Sequence, residues 1–173
     1  SAPIVKSLGA PSSYLDVPFR YHYTGTRSGV NFFQHNPSTH ARIAEFASRF
    51  AIVSFVDLKA DIVPNAELGN NAQTFTAVWT HVGNAPTALN LGSIPGSQTV
   101  TLGGFYNLSS TFSLACKCED FMCSFRDLVQ FNFNPVLYVS TGAAVPLGDH
   151  TVPDDFTAQI YVSGTLRISS PIN

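Results

Sequence analysis

The stretch Ala158-Gln-Ile-Tyr-Val-Ser-Gly-Thr-Leu-Arg-Ile-Ser169 decides the fold class of this chain. Ala158, Ile160, Val162, Leu166 and Ile168 alternate with Gln159, Tyr161, Ser163, Thr165 and Arg167. That two-residue period places an apolar row on one face of a strand and a polar row on the other. At about 3.3 Å per residue the strand spans roughly 35–40 Å, longer than most.

Working outward from it, the same period recurs. Leu15, Val17, Phe19, Tyr21 and Tyr23 alternate with Asp16, Arg20 and His22, and Pro18 within that run marks an edge or bulge position. Further strands read at Val30–Gln34, Phe50–Val63, Thr74–Val82, Gln98–Phe105, Thr111–Cys118 and Val136–Thr141. One segment keeps a helical period instead. Ile43, Phe46, Ala47 and Phe50 fall at i, i+3, i+4 and i+7, with Ser38 or Thr39 as the cap after Pro37. Asn84–Gly96 is a Pro- and Gly-punctuated loop with room for one helical turn. The spacing of Phe121, Met122 and Phe125 allows a second short helix at 119–127.

Eight strands and one helix after the second give an all-β chain, an eight-stranded antiparallel jelly-roll β-sandwich of the kind used by capsid and lectin domains. Barrel and immunoglobulin-like arrangements stay open at this point, although the Cys–Trp–Cys spacing of the latter is absent. Residues 1–13 hold one cation, Lys6, among Pro, Ser, Ala and Gly, and read as a short flexible arm; residues 14–173 form the single domain. The sequence starts at Ser1, which points to an initiator Met or precursor segment lying outside it.

Composition narrows the function. Hydrophobic residues make up 45% of the 173 and charged ones only 12%, about half the usual charged share. A lone soluble domain covers itself with charge, whereas a subunit walled in by neighbours needs less. No run of 18 apolar residues exists, which argues against a membrane span, and the first residues lack a signal-peptide plan. Cys116, Cys118 and Cys123 are odd in number and supply only three ligands with no His nearby, so a disulfide framework and a zinc site are both disfavoured. Buried, reduced thiols fit assembly inside a cell.

The search for chemistry returns little. His22, His35, His40, His81 and His150 form no metal-binding pair, and no nucleophile elbow or phosphate loop occurs. Asp57 and Asp61 share a strand face with Lys59, an exposed or interface pattern, while Asp154–Asp155 reads as a solvated turn. Asn107–Ser109 is a glycosylation sequon by pattern alone. Catalytic, cofactor-binding and metal-binding residues are therefore expected to be none, and the protein is expected not to be an enzyme. Its nine Lys and Arg are scattered and its net charge is −2, so no basic patch announces nucleic acid.

Three words in the sequence carry a resemblance. Ile160-Tyr-Val-Ser-Gly-Thr-Leu-Arg-Ile-Ser-Ser-Pro171, Ala77-Val-Trp79 followed by Val82-Gly-Asn-Ala-Pro86, and Gln98 through Leu102-Gly103-Gly104 resemble, in order and spacing, the tymovirus-like coat proteins. The matches run over about half the chain, and weaker similarity reaches back through the helix. The departures are a shorter N-terminal arm and a Cys116–Arg126 segment richer in Cys and Phe.

The resemblance implies a coat subunit of a T=3 shell, built of pentamers and hexamers around genomic single-stranded RNA, resident in the virion and assembled inside the host cell. With −2 per copy the protein cannot neutralise phosphate, so polyamines or metal cations are expected to do so. Lys6, Arg20, His22 and Arg27 are the expected RNA-facing residues, their contacts strengthening as histidines protonate near pH 6. Phe32, Phe33, Phe121 and Phe125 are candidate subunit-interface anchors, with plain core packing the alternative role for each. The rival reading is a carbohydrate-binding, lectin-like jelly roll that would use Asn70, Asn71 and Tyr106.

Overall fold

The computed structural model describes residues 14–65, 71–80, 86–87, 89–103, 111–118, 135–143 and 156–171. Its strands are β1 (Tyr14–Thr26), β2 (Asn31–His35), β3 (Phe50–Pro64), β4 (Ala72–Thr80), β5 (Gln98–Gly103), β6 (Phe112–Cys116), β7 (Val136–Thr141) and β8 (Ala158–Pro171). One helix, α1 (Ala41–Arg49), follows β2. Four antiparallel pairs, β1–β8, β2–β7, β3–β6 and β4–β5, are what one long hairpin would produce. Two more, β3–β8 and β4–β7, roll that hairpin into sheets ordered β1-β8-β3-β6 and β2-β7-β4-β5. This is jelly-roll order, and it settles the choice against the barrel and the immunoglobulin-like sandwich. Strand β1 lies at a sheet edge, where Pro18 costs no central hydrogen bond. The second helix considered at 119–127 and the arm 1–13 lie outside the described residues.

Register explains a pattern that alternation alone misreads. Val53 and Phe55 are buried, and so are Leu58, Ala60 and Ile62, although the two groups differ in parity. Such a switch needs one extra residue. The β3–β8 register shifts between Phe55 and Asp57, so Val56 is the bulged residue and is exposed. Gly164 makes the bulge possible. It lies opposite Leu58 in the β3–β8 pairing, and a Cβ there would collide with the Asp57 carbonyl. Across on β1, Phe19 stands opposite Gly164 and turns its ring edge-on to Phe55, centroids 6.0 Å apart.

The main core lies between the sheets, with Ile43 and Ala47 of α1 closing over it. The helix starts differently from the sequence expectation. Asn36, not Ser38 or Thr39, is the capping side chain: its Oδ1 accepts from the Ser38 amide (3.3 Å) and hydroxyl (2.8 Å), starting a 3-10 turn over Pro37–Thr39. His40 then caps α1 through its backbone alone. A second, smaller cluster of Val78, Leu91, Val136 and Tyr138 lies on the outer face of the β2-β7-β4-β5 sheet. Leu91, on the 3-10 turn Leu91–Ser93, is its fully buried lid; burial of such a side chain contributes about 1.5–3 kcal/mol.

Candidate functional site

Two strand edges and two sheet faces could carry function. At the β1/β2 edge, side chains from different sheets meet as a run of rings. Tyr21 stacks on His40 (centroids 3.8 Å) and Tyr23 on His35 (4.0 Å), and Tyr21 shares a 2.6 Å hydrogen bond with His35 Nε2. Burial pulls the His35 imidazole down to about 4, helped by the neighbouring His40. Burial likewise lowers His40 and pushes the Tyr21 and Tyr23 phenols up. At the β5/β6 edge the closure is different: Trp79 Nε1 donates to the Leu114 carbonyl at 3.0 Å, with Cys116 and Cys118 buried in the same core cluster. A cleft of about 430 Å³ opens there, lined by Trp79, Gln98, Leu114 and Lys117 among others.

The outward face of the β1-β8-β3-β6 sheet is polar. Because Ala158, Ile160, Val162, Leu166 and Ile168 are buried, Gln159, Tyr161, Ser163, Thr165 and Arg167 point out. Arg167 holds Asp16 through two contacts (2.8 and 3.0 Å), and that hydrogen bonding keeps the Asp16 carboxyl below the usual carboxylate range. Asp61 accepts from the Ser113 hydroxyl and lies 3.8 Å from Lys59, so the expected Asp57/Lys59/Asp61 face exists. Nearer the end of β1, the Arg20 guanidinium lies 4.4 Å over the Tyr161 ring. His22 meets the edge of the same ring and donates from Nε2 to Gln159 Oε1 at 2.5 Å. Arg27 lies 4.4 Å over Phe156.

Of the residues named for RNA from sequence, Arg20 and His22 thus fall on β1 and Arg27 directly follows its end at Thr26. The fourth, Lys6, lies outside the described residues, as do Phe121 and Phe125. Phe32 and Phe33 part company. Phe32 faces outward beside Tyr138, 39% exposed, next to Val30 at 80%, whereas Phe33 turns inward against the core and Tyr23. Sequence reasoning missed Tyr161 and Phe156 as partners of Arg20 and Arg27, although the alternation of β8 already turned Tyr161 outward. The Tyr–His edge left no such signal, because it is formed by strands of different sheets.

Asn71, one of the residues a sugar site would use, is buried at 5% exposure, and Asn70 and Tyr106 lie outside the described residues. Among the described residues no three His, Cys, Asp or Glu gather as a metal site.

Comparison with known proteins agrees with the fold. The family model described as Tymovirus coat protein matches residues 2–173. The capsid protein of Eggplant mosaic virus is 25% identical over 161 residues, covering 93% of this chain and 83% of that one. Among solved structures, that of Desmodium yellow mottle tymovirus superposes with a TM-score of 0.81 at 17% identity, over 95% of this chain and 91% of its own. Turnip yellow mosaic virus gives 0.80 at 21%, over 95% and 85%.

Proposed function

The chain belongs to the tymovirus coat protein family, and on that premise we propose that it tiles a T=3-type shell of pentamers and hexamers enclosing single-stranded RNA. Its role is structural, as a self-assembling capsid protein of the virion, and not enzymatic. The observation that carries the reading is the family match over 2–173 on a complete eight-stranded jelly roll. Shell contacts can each be weak, because closed symmetry repeats them many times. Phe32 with Val30 beside it is the described apolar surface proposed to seat against a neighbouring copy. Phe121 and Phe125 are proposed for the same role from sequence alone.

Net charge of −2 per copy leaves phosphate neutralisation to polyamines or metal cations, and protein–protein contacts then hold the shell. In support, a solved structure similar to this chain is described as an empty head of turnip yellow mosaic virus. Expression of the chain followed by electron microscopy tests the reading. Closed particles tens of nanometres across, containing RNA and persisting as shells once it is removed, are expected. A stable monomer, or dissociation on RNA removal at neutral pH, overturns it.

A further inference from the structure

The geometry points to the outer β1–β8 boundary as a track for single-stranded RNA, on which bases stack at two arginine–aromatic pairs, Arg20–Tyr161 and Arg27–Phe156. This rests on the RNA-enclosing reading above and names the surface that meets the strand. Register places the parts. His22 lies opposite Tyr161, Arg20 opposite Ser163 and Gly25 opposite Gln159. Since Gln159 and Tyr161 point away from the core, so does the face of Gly25 that lies beside them. Phe156 lies on that same face: a Cβ on Gly25 would collide with its ring, so glycine lets an aromatic lie flat on the strand. The order along the boundary is therefore Arg27–Phe156, then the His22–Gln159 hydrogen bond, then Tyr161–Arg20. From Gly25 to Arg20 is roughly 15 Å of strand, room for a few nucleotides.

This chemistry suits a single strand. The two rings are half-buried and each carries a guanidinium over one face, so a base stacks on the guanidinium plane while its N–H donors turn toward phosphate. Arg20 forms no ion pair with a described carboxylate. Two acids of that sheet face are engaged elsewhere, Asp61 by Ser113 and Lys59 and Asp16 by Arg167. Stacking on ring and guanidinium planes grips a strand without sequence preference.

The test uses RNA-filled particles, cross-linked by ultraviolet light and digested for mass spectrometry. Nucleotide adducts are expected on the peptides holding Phe156 and Tyr161. In particles of the R20Q/Y161S double variant, whose changes lie on the surface, RNA content should drop and the adduct yield at this boundary should fall about tenfold, the scale of one lost base stack. Adducts confined to other peptides, an unchanged yield in the variant, or subunit-to-subunit cross-links at Tyr161 in place of nucleotide adducts each overturn the track. Wild-type particles without RNA would overturn the enclosing reading itself. If the variant fails to assemble, the wild-type adduct map decides alone.

Discussion

The sandwich has two open edges, and they are closed by different chemistry. At β1/β2 the closure is a stack of Tyr21, His40, Tyr23 and His35, whose neighbours Phe19, Phe33 and Phe55 belong to the core. At β5/β6 it is one indole hydrogen bond to Leu114 over Leu102, Leu114 and Cys116. The first depends on two imidazoles staying neutral. The second contains no imidazole among the described residues. Among the described residues, one fold therefore has a seam whose imidazoles acid can charge and a seam without any, and the two can be broken separately.

The largest effect is expected at the insensitive edge. Trp79→Ala removes a buried ring and the indole donor to the Leu114 carbonyl, a loss of about 3–5 kcal/mol for the cavity and lost burial. The loss should be equal at pH 7 and pH 4.5. Urea unfolding at one fixed protein concentration measures it, since subunit stability is linked to assembly. A loss that doubles in acid would end the claim that this edge is blind to pH.

Acid is the next largest perturbation, and it acts through β1/β2. His35 titrates at about 4 in the folded protein against its ordinary 6.5. Between those values the unfolded chain takes up a proton that the folded chain refuses. Stability is thus complete above pH 6.5, falls as pH drops toward 4, and levels off below. Discounted for partial exposure, the loss is on the order of 2 kcal/mol. Thermal unfolding across that window should show it, and His35→Gln, which keeps a hydrogen-bonding partner for Tyr21, should flatten the slope. A slope equal to wild type would assign the acid response elsewhere, for instance to His40, whose imidazole burial also lowers.

Much of this architecture was legible in the sequence, and the exceptions share a cause. The alternation of Ala158–Ile168 and the Ile43–Phe50 helical spacing gave both face and element, because each is a local pattern over one segment. Asn36 escaped notice as a cap because it belongs to a 3-10 turn that precedes the helix proper. The Val56 bulge was hidden, since Phe55 and Val56 are both apolar and only the β8 partner reveals where parity changes. The site followed the same rule. Arg20, His22 and Arg27 could be chosen from one short stretch, but Tyr161 and Phe156 lie 141 and 129 residues from the arginines that stack on them. The Tyr–His edge is harder still, because β1 and β2 lie in separate sheets and share no ladder.

The finest discrimination concerns His40, the outermost ring of the stack. Its Nδ1 is buried with no hydrogen-bond partner, and such an orphan costs about 1–3 kcal/mol. Its backbone, not its side chain, starts α1: the carbonyl accepts from Ala44 at 2.8 Å and the amide donates to Pro37 at 3.1 Å. His40→Phe therefore keeps the ring on Tyr21, keeps the helix start, and removes an unsatisfied nitrogen. Partial exposure of the residue limits the gain, so a stabilisation of up to about 1 kcal/mol at pH 7 is expected. In acid the variant should also hold more of its stability, because one of the two imidazoles that resist protonation together is gone. Thermal midpoints at pH 7 and pH 4.5 separate the outcomes. A loss above about 1 kcal/mol at pH 7 would mean that the His40 imidazole is a partner the β1/β2 edge needs, and the edge would then be held by polar contacts instead of stacking.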